Sequence, residues 1–143
     1  MAFPGTYNIS YYKGDTYEFR IYPKTPSGDI FDLTPYTGGG SYDDDNDPLT
    51  PNVPYDNVIF TFATSRGSTS WHKCAAWIDS TKTFVGCAIR PDDAQYLTPG
   101  TTYVYDVQVT RPSNDTSDGN PFTYPIVHTL LTGTISVTGQ VTP

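Results

Sequence analysis

Over much of this chain apolar and polar residues alternate one for one. That is the period of a strand with one face in a core and the other in water. Tyr7, Ile9, Tyr11, Tyr17, Phe19 and Ile21 keep one parity, Asn8, Ser10, Glu18 and Arg20 the other, around the turn Lys13-Gly14-Asp15-Thr16. The clearest strand runs from Thr102 to Thr110, where Tyr103, Tyr105, Val107 and Val109 oppose Val104, Asp106, Gln108 and Thr110. Val58 to Ala63, Trp71 to Ile78 and Thr83 to Ile89 also read as strands, and Asp79-Ser80-Thr81-Lys82 is short enough to make the last two a hairpin. In the final strand, Ile126 to Val137, the residues Val127, Leu131, Ile135 and Val137 share a parity, and Gly133 predicts a kink. Arg90 to Leu97 suits one helical turn, with Pro91 near its start and Asp92 and Asp93 favouring its N-terminus.

About seven strands, with turn signals roughly every 8–12 residues, predict an all-β antiparallel sandwich. No βαβ alternation is present, which argues against a parallel sheet. The 143 residues fit one domain, 1–143. Residues 38–57 break the pattern, with three consecutive glycines, five acidic residues and three prolines. A segment so poor in apolar residues buries too little to offset its ordering entropy, so it is expected to be a long exposed acidic loop.

Composition supports the strand reading: 12 Tyr, 7 Phe, 13 Pro and 12 Gly favour pleated surfaces and turns. The net charge of −7, with eight scattered Lys and Arg, argues against nucleic acid and anionic membranes as partners. The opening residues lack a basic segment followed by an apolar run, so no signal peptide is expected, and synthesis is expected in the cytoplasm. That context weakens Asn8 and Asn114 as glycosylation sites.

Chemistry-bearing groups are few. A hairpin closing at Ser80-Thr81 puts Cys74 opposite Cys87, which leaves two readings: a cross-strand disulfide, or two buried thiols kept reduced. His72 shares a strand face with Cys74, but the apolar surroundings Ala76, Ile78 and Val85 suggest a core thiol rather than a nucleophile. His128 is expected at a surface or interface. Asp43, Asp45 and Asp47 alternate as in a calcium loop, yet the glycine and closing glutamate are missing, so no metal site and no cofactor are expected. No motif couples a nucleophile to a base, so no catalytic residues are expected. Tyr42, Asp43, Asp44, Asp45, Asp47 and Tyr55 form a candidate partner-contact loop. Tyr12, Tyr22, Tyr36, Trp71 and Trp77 are further candidates for exposure, suited to a protein interface or a carbohydrate platform.

The stretch GTYNISYYKGDTYEFRIYPKTPSGDIFDLT resembles the start of small immunoglobulin-like domains of tailed-bacteriophage virion proteins. CAIRPDDAQYLTPGTTYVYDVQVTRP and VHTLLTGTISVTGQVT are similar to the second half of such domains. The resemblance spans residues 5–37 and 84–142; the acidic segment 38–57 and the Trp71 to Trp77 stretch depart from it. It implies an immunoglobulin-like sandwich and a non-enzymatic virion component. Such a component decorates or cements the capsid surface, or belongs to the tail or baseplate. The implied partners are the major capsid protein or tail proteins, bound in multiple copies per particle. A receptor- or glycan-binding module that uses the 38–57 loop is the alternative.

Overall fold

The computed structural model describes residues 5–40, 55–56, 58–111 and 126–139. Ten strands are described: β1 (Gly5–Thr6), β2 (Ile9–Tyr12), β3 (Tyr17–Ile21), β4 (Thr37–Gly40), β5 (Tyr55–Asp56), β6 (Val58–Ala63), β7 (Trp71–Ile78), β8 (Val85–Ile89), β9 (Thr102–Arg111) and β10 (Ile126–Thr138). Two 3-10 turns, Thr34–Tyr36 and Pro91–Tyr96, are the only helical pieces among the described residues.

Eight strands form one sheet in the order β1-β10-β9-β6-β7-β8-β3, with β2 also paired to β10. The expected sandwich of two separate antiparallel sheets is therefore corrected. Eight of the ten described strands instead make a single mixed sheet, strongly curled into a half-barrel. The curl has a local cause in β7. Its first half pairs with β6 (Phe60↔Cys74 to Ala63↔Trp71), and its second half with β8 (Ala75↔Ala88 to Ile78↔Val85). At the handover Cys74, Ala75 and Ala76 are all buried, so both faces of the strand are covered there. Small side chains let the strand turn this corner without overfilling it.

The sheet is not purely antiparallel. β1 and β2 both run parallel to β10, in one unbroken register from Gly5↔Leu131 to Tyr12↔Thr138. Between them, at Tyr7 and Asn8, the Tyr7 carbonyl sits over Gly133 and accepts the Tyr105 hydroxyl at 2.5 Å. The Asn8 side-chain oxygen accepts from the Thr134 amide and hydroxyl, both at 3.2 Å. So β2 and β3 flank the Lys13–Thr16 turn without pairing to each other: β3 pairs with β8, at the far end of the curl.

Alternation holds in β9, where Tyr103, Tyr105, Val107 and Val109 are buried as expected. In β10 it slips. A register shift between Thr129 and Leu131 puts Leu130 in the core at 1% exposure, while Val127 is 48% exposed. A bulge moves every following side chain to the other face, so only Ile135 and Val137 of the expected inward set are buried. Tyr7 is also exposed rather than in the core. Tyr36 is corrected in the other direction. Tyr36 is buried, and the His128 ring packs edge-on to Phe31 and Tyr36, with centroids 5.7 and 6.2 Å away.

The interior of the half-barrel centres on Phe19, Phe60 and Tyr105, whose rings meet edge to face at 5.5–6.2 Å. Burial pushes the Tyr105 hydroxyl upward in pKa. Burial and the hydrogen bond to the Tyr7 hydroxyl push Tyr17 up to about 12. A tyrosine whose folded pKa is raised stabilises the fold below the unfolded value near ~10, and that stability is lost as pH rises through the folded value. Alkaline titration should accordingly show part of the tyrosinate absorbance appearing only together with cooperative loss of circular dichroism, between about pH 10 and 12. A smooth titration complete before any unfolding contradicts this.

The acidic segment is only partly described. Its two ends form a small separate ladder, β4 with β5, so Gly38–Gly40 and Tyr55–Asp56 are strand, not loop. Residues 41–54 and 57 lie outside the described residues.

Candidate functional site

The β6–β7 connection, the start of β7 and the Pro91–Tyr96 turn enclose a cleft of about 540 Å³, with Phe62, Trp71, His72, Tyr96 and Tyr103 in its walls. A second cleft of about 330 Å³ lies beside it, lined by Arg66, Trp71, Asp106 and Gln108 among others. Trp71, half exposed, borders both. Arg66 Nη1 lies 3.7 Å from Asp106 Oδ2. Burial raises the Asp106 carboxyl, and the Arg66 charge pulls it partly back.

Beneath the first cleft is a polar cluster. The His72 Nε2 and Asp93 Oδ1 atoms are 2.8 Å apart, and the two side chains are 10% and 0% exposed. The other Asp93 oxygen accepts from the Arg90 amide at 2.9 Å and from Arg90 Nε at 3.4 Å. This is the returning half of a capping box: the third residue of the turn reaches back to the backbone amide before it. Burial by itself pushes the Asp93 carboxyl up, but the bonds from His72 and Arg90 outweigh it and hold the group below its ordinary value. The imidazole stacks on Tyr96 at 4.1 Å and leans on Phe62 at 5.2 Å. Cys74 completes the cluster: one donor atom each from His72, Cys74 and Asp93 lie within 4.8 Å of one another.

The sequence placed His72 and Cys74 on one face and found a core thiol, and Cys74 is 1% exposed. It missed Asp93, treating it with Asp92 as an acid at a helix start. The available signal was position, because the third residue of a capped turn points back rather than out.

Cys74 and Cys87 are buried and are not joined in a disulfide. They do not face each other as the sequence register proposed. Cys87 lies opposite Ala76 and Phe19, and Cys74 opposite Phe60. The hairpin turn is the reason. Asp79 accepts the Lys82 amide and donates its own to the Phe84 carbonyl, with Lys82 at φ 62°, so the loop closes one position later than Ser80-Thr81. A two-residue offset makes the cysteines diagonal neighbours, typically ~7–8 Å apart, beyond the ~3.5–4.5 Å that a disulfide needs between Cβ atoms. Burial also pushes the Cys87 thiol pKa up, which suppresses its thiolate. Thiol titration of the freshly purified protein should find both cysteines only after denaturation; rapid reaction in the folded state contradicts this.

Of the partner-contact residues, Tyr42, Asp43, Asp44, Asp45 and Asp47 lie outside the described residues, and Tyr55 is placed by its backbone in β5. Among the candidate exposed aromatics, Tyr12, Tyr22 and Trp71 are at least half exposed, whereas Trp77 is half-buried with its indole against Gly86. No family model, curated protein or solved structure matches this chain.

Proposed function

We propose that this chain is a non-enzymatic structural protein of a tailed-phage virion, made in the host cytoplasm and bound to the capsid surface by protein–protein contacts. Its partner is the major capsid protein, and it is present in many copies, so that avidity over a repeating lattice holds it. The observation that carries this reading is the seam of the half-barrel, which the Tyr7 and Tyr17 hydroxyls bridge but no backbone ladder closes among the described residues. The β3 strand at one end of the sheet, and β1 and β2 at the other, pair on one side only among the described residues. Tyr7, Tyr12 and Tyr22 stand exposed on these strands or just beside them. Unpaired edges template strand addition, and tyrosine is enriched at interfaces.

An immunoglobulin-like kinship is part of the same proposal. The Thr98 amide donates to the Tyr103 hydroxyl at 2.8 Å, at the corner entering β9. That is the arrangement of a tyrosine corner in immunoglobulin-type folds. Placement in the tail or baseplate draws on the same seam. A second reading, glycan or receptor binding, is favoured by half-exposed Trp71 between its two clefts.

Incubating the purified protein with particles that lack it separates these readings. Saturable, stoichiometric attachment to heads supports decoration, and attachment to tails alone moves the site. Glycan-array binding without particle association overturns the structural role.

A further inference from the structure

The polar cluster under the cleft has a donor set that the proposed virion role does not use. We infer that His72, Cys74 and Asp93 form a binding site for a zinc-like divalent transition-metal ion, with a fourth coordination position towards the cleft. The strand supplies two of the ligands by its own period: residues 72 and 74 of β7 project to the same side, and their donor atoms meet that of Asp93 within 4.8 Å. Four-coordinate zinc with bonds of about 2.0–2.3 Å places ligand atoms roughly 3.3–3.7 Å apart. The 2.8 Å His72–Asp93 contact must open by about half an ångström and Cys74 draw in by about one, which side-chain torsions supply.

The kind of metal follows from the donors. Calcium and magnesium take oxygen ligands, whereas one nitrogen, one sulfur and one oxygen suit zinc or cobalt. A thiolate and a carboxylate together cancel a dication's charge, which matters where Cys74 is 1% and Asp93 0% exposed. On binding, the Cys74 thiol gives up one proton to solvent, and the proton that His72 Nε2 donates to Asp93 leaves that nitrogen, for Nδ1 or for solvent, so that its lone pair can bond the metal. Surrounding groups already fix the ligands in place. Both Arg90 bonds fall on Asp93 Oδ2, so Oδ1 is the atom turned to the cluster. Tyr96 and Phe62 hold the imidazole between them. Such outer-shell partners set ligand orientation and affinity. Because Tyr96 is 49% exposed and stacks on the imidazole, it is the side chain that must move to admit the ion. The site does not depend on the virion role, and a failure of either leaves the other standing.

The test is cobalt titration of the reduced, chelator-treated full-length chain, followed by zinc displacement. We expect saturation at one equivalent, with near-ultraviolet thiolate-to-cobalt charge transfer and the intense visible bands of four-coordinate cobalt. Cys74→Ser should abolish the charge transfer while Cys87→Ser retains it, and His72→Gln should weaken binding at least tenfold. No spectrum at one equivalent overturns the inference, as does a spectrum unchanged in Cys74→Ser. Should that variant fail to fold, X-ray absorption of the zinc-loaded parent decides: one sulfur at about 2.3 Å supports the site, and its absence overturns it.

Discussion

Replacing Asp93 by alanine should cost about 3–5 kcal/mol of folding stability in chelator-containing buffer, measured by urea unfolding at neutral pH. The carboxylate is fully buried and serves three donors: His72 Nε2, the Arg90 amide and Arg90 Nε. Removing it leaves an imidazole and a guanidinium, 10% and 22% exposed, without the acceptor they converge on. Arg90 Nη2 is already buried without a hydrogen-bond partner, so the guanidinium has little reserve. Asn should cost less than Ala, because it keeps one acceptor and the shape. The pH dependence distinguishes this account from simple cavity formation. The Asp93 carboxyl is held below its ordinary value in the fold, so its contribution is complete above the unfolded value near ~4 and is lost as pH falls through the folded one. The gap between parent and Asp93→Ala should therefore narrow steadily below about pH 4. A gap that stays constant down to the acid transition assigns the loss to packing alone.

The Asp93 case also shows where the sequence stops being readable. Alternation tells which face a residue occupies, and that put Tyr105, Val107 and His72 with Cys74 on their correct sides. It does not tell which strand lies alongside. The parallel docking of β1 and β2 on β10, and the 21-residue separation of His72 from Asp93, are long-range facts with no local period. The single curled sheet has the same origin. Cys74-Ala75-Ala76 reads as part of an ordinary strand, and only its two neighbours, β6 and β8, reveal a corner. Where two apolar residues adjoin, as at Leu130 and Leu131, parity itself is ambiguous, and the bulge decides which enters the core. The cysteine register failed for a related reason: it hung on which residue of the 79–84 loop takes a left-handed conformation, and Lys82 is not a residue that announces one.

Gly133→Ala should be the most damaging single-methyl change at any described glycine, with a cost of roughly 3 kcal/mol or more. A Cβ at position 133 lies 1.9 Å from the Tyr7 carbonyl oxygen and 2.8 Å from its carbon, and both are backbone atoms that no rotamer can move aside. At Gly86 the nearest atoms, at 2.3 Å, belong to the Trp77 indole, a side chain that has somewhere to go. Relief at Gly133 requires the N-terminal strand to lift from β10. That breaks the Tyr7 amide bond to the Thr132 carbonyl (3.0 Å) and takes the Tyr7 carbonyl from the Tyr105 hydroxyl (2.5 Å). It also pulls Asn8 from Thr134. Gly5→Ala is the matched control on the facing strand β1, since its Cβ meets Leu131 Cδ1 at 3.4 Å and the Leu130 carbonyl oxygen at 3.9 Å, both ordinary contacts. Hydrogen exchange gives the second readout: Gly133→Ala should speed exchange at the β1, Tyr7 and β2 amides before it affects β6 or β9. Equal stability of the two variants, or uniform loss of protection across the sheet, contradicts the argument. Because β1 and β2 form one lip of the seam, the same substitution should weaken particle attachment at temperatures where β6 and β9 stay protected, a result expected only if that lip is the docking edge.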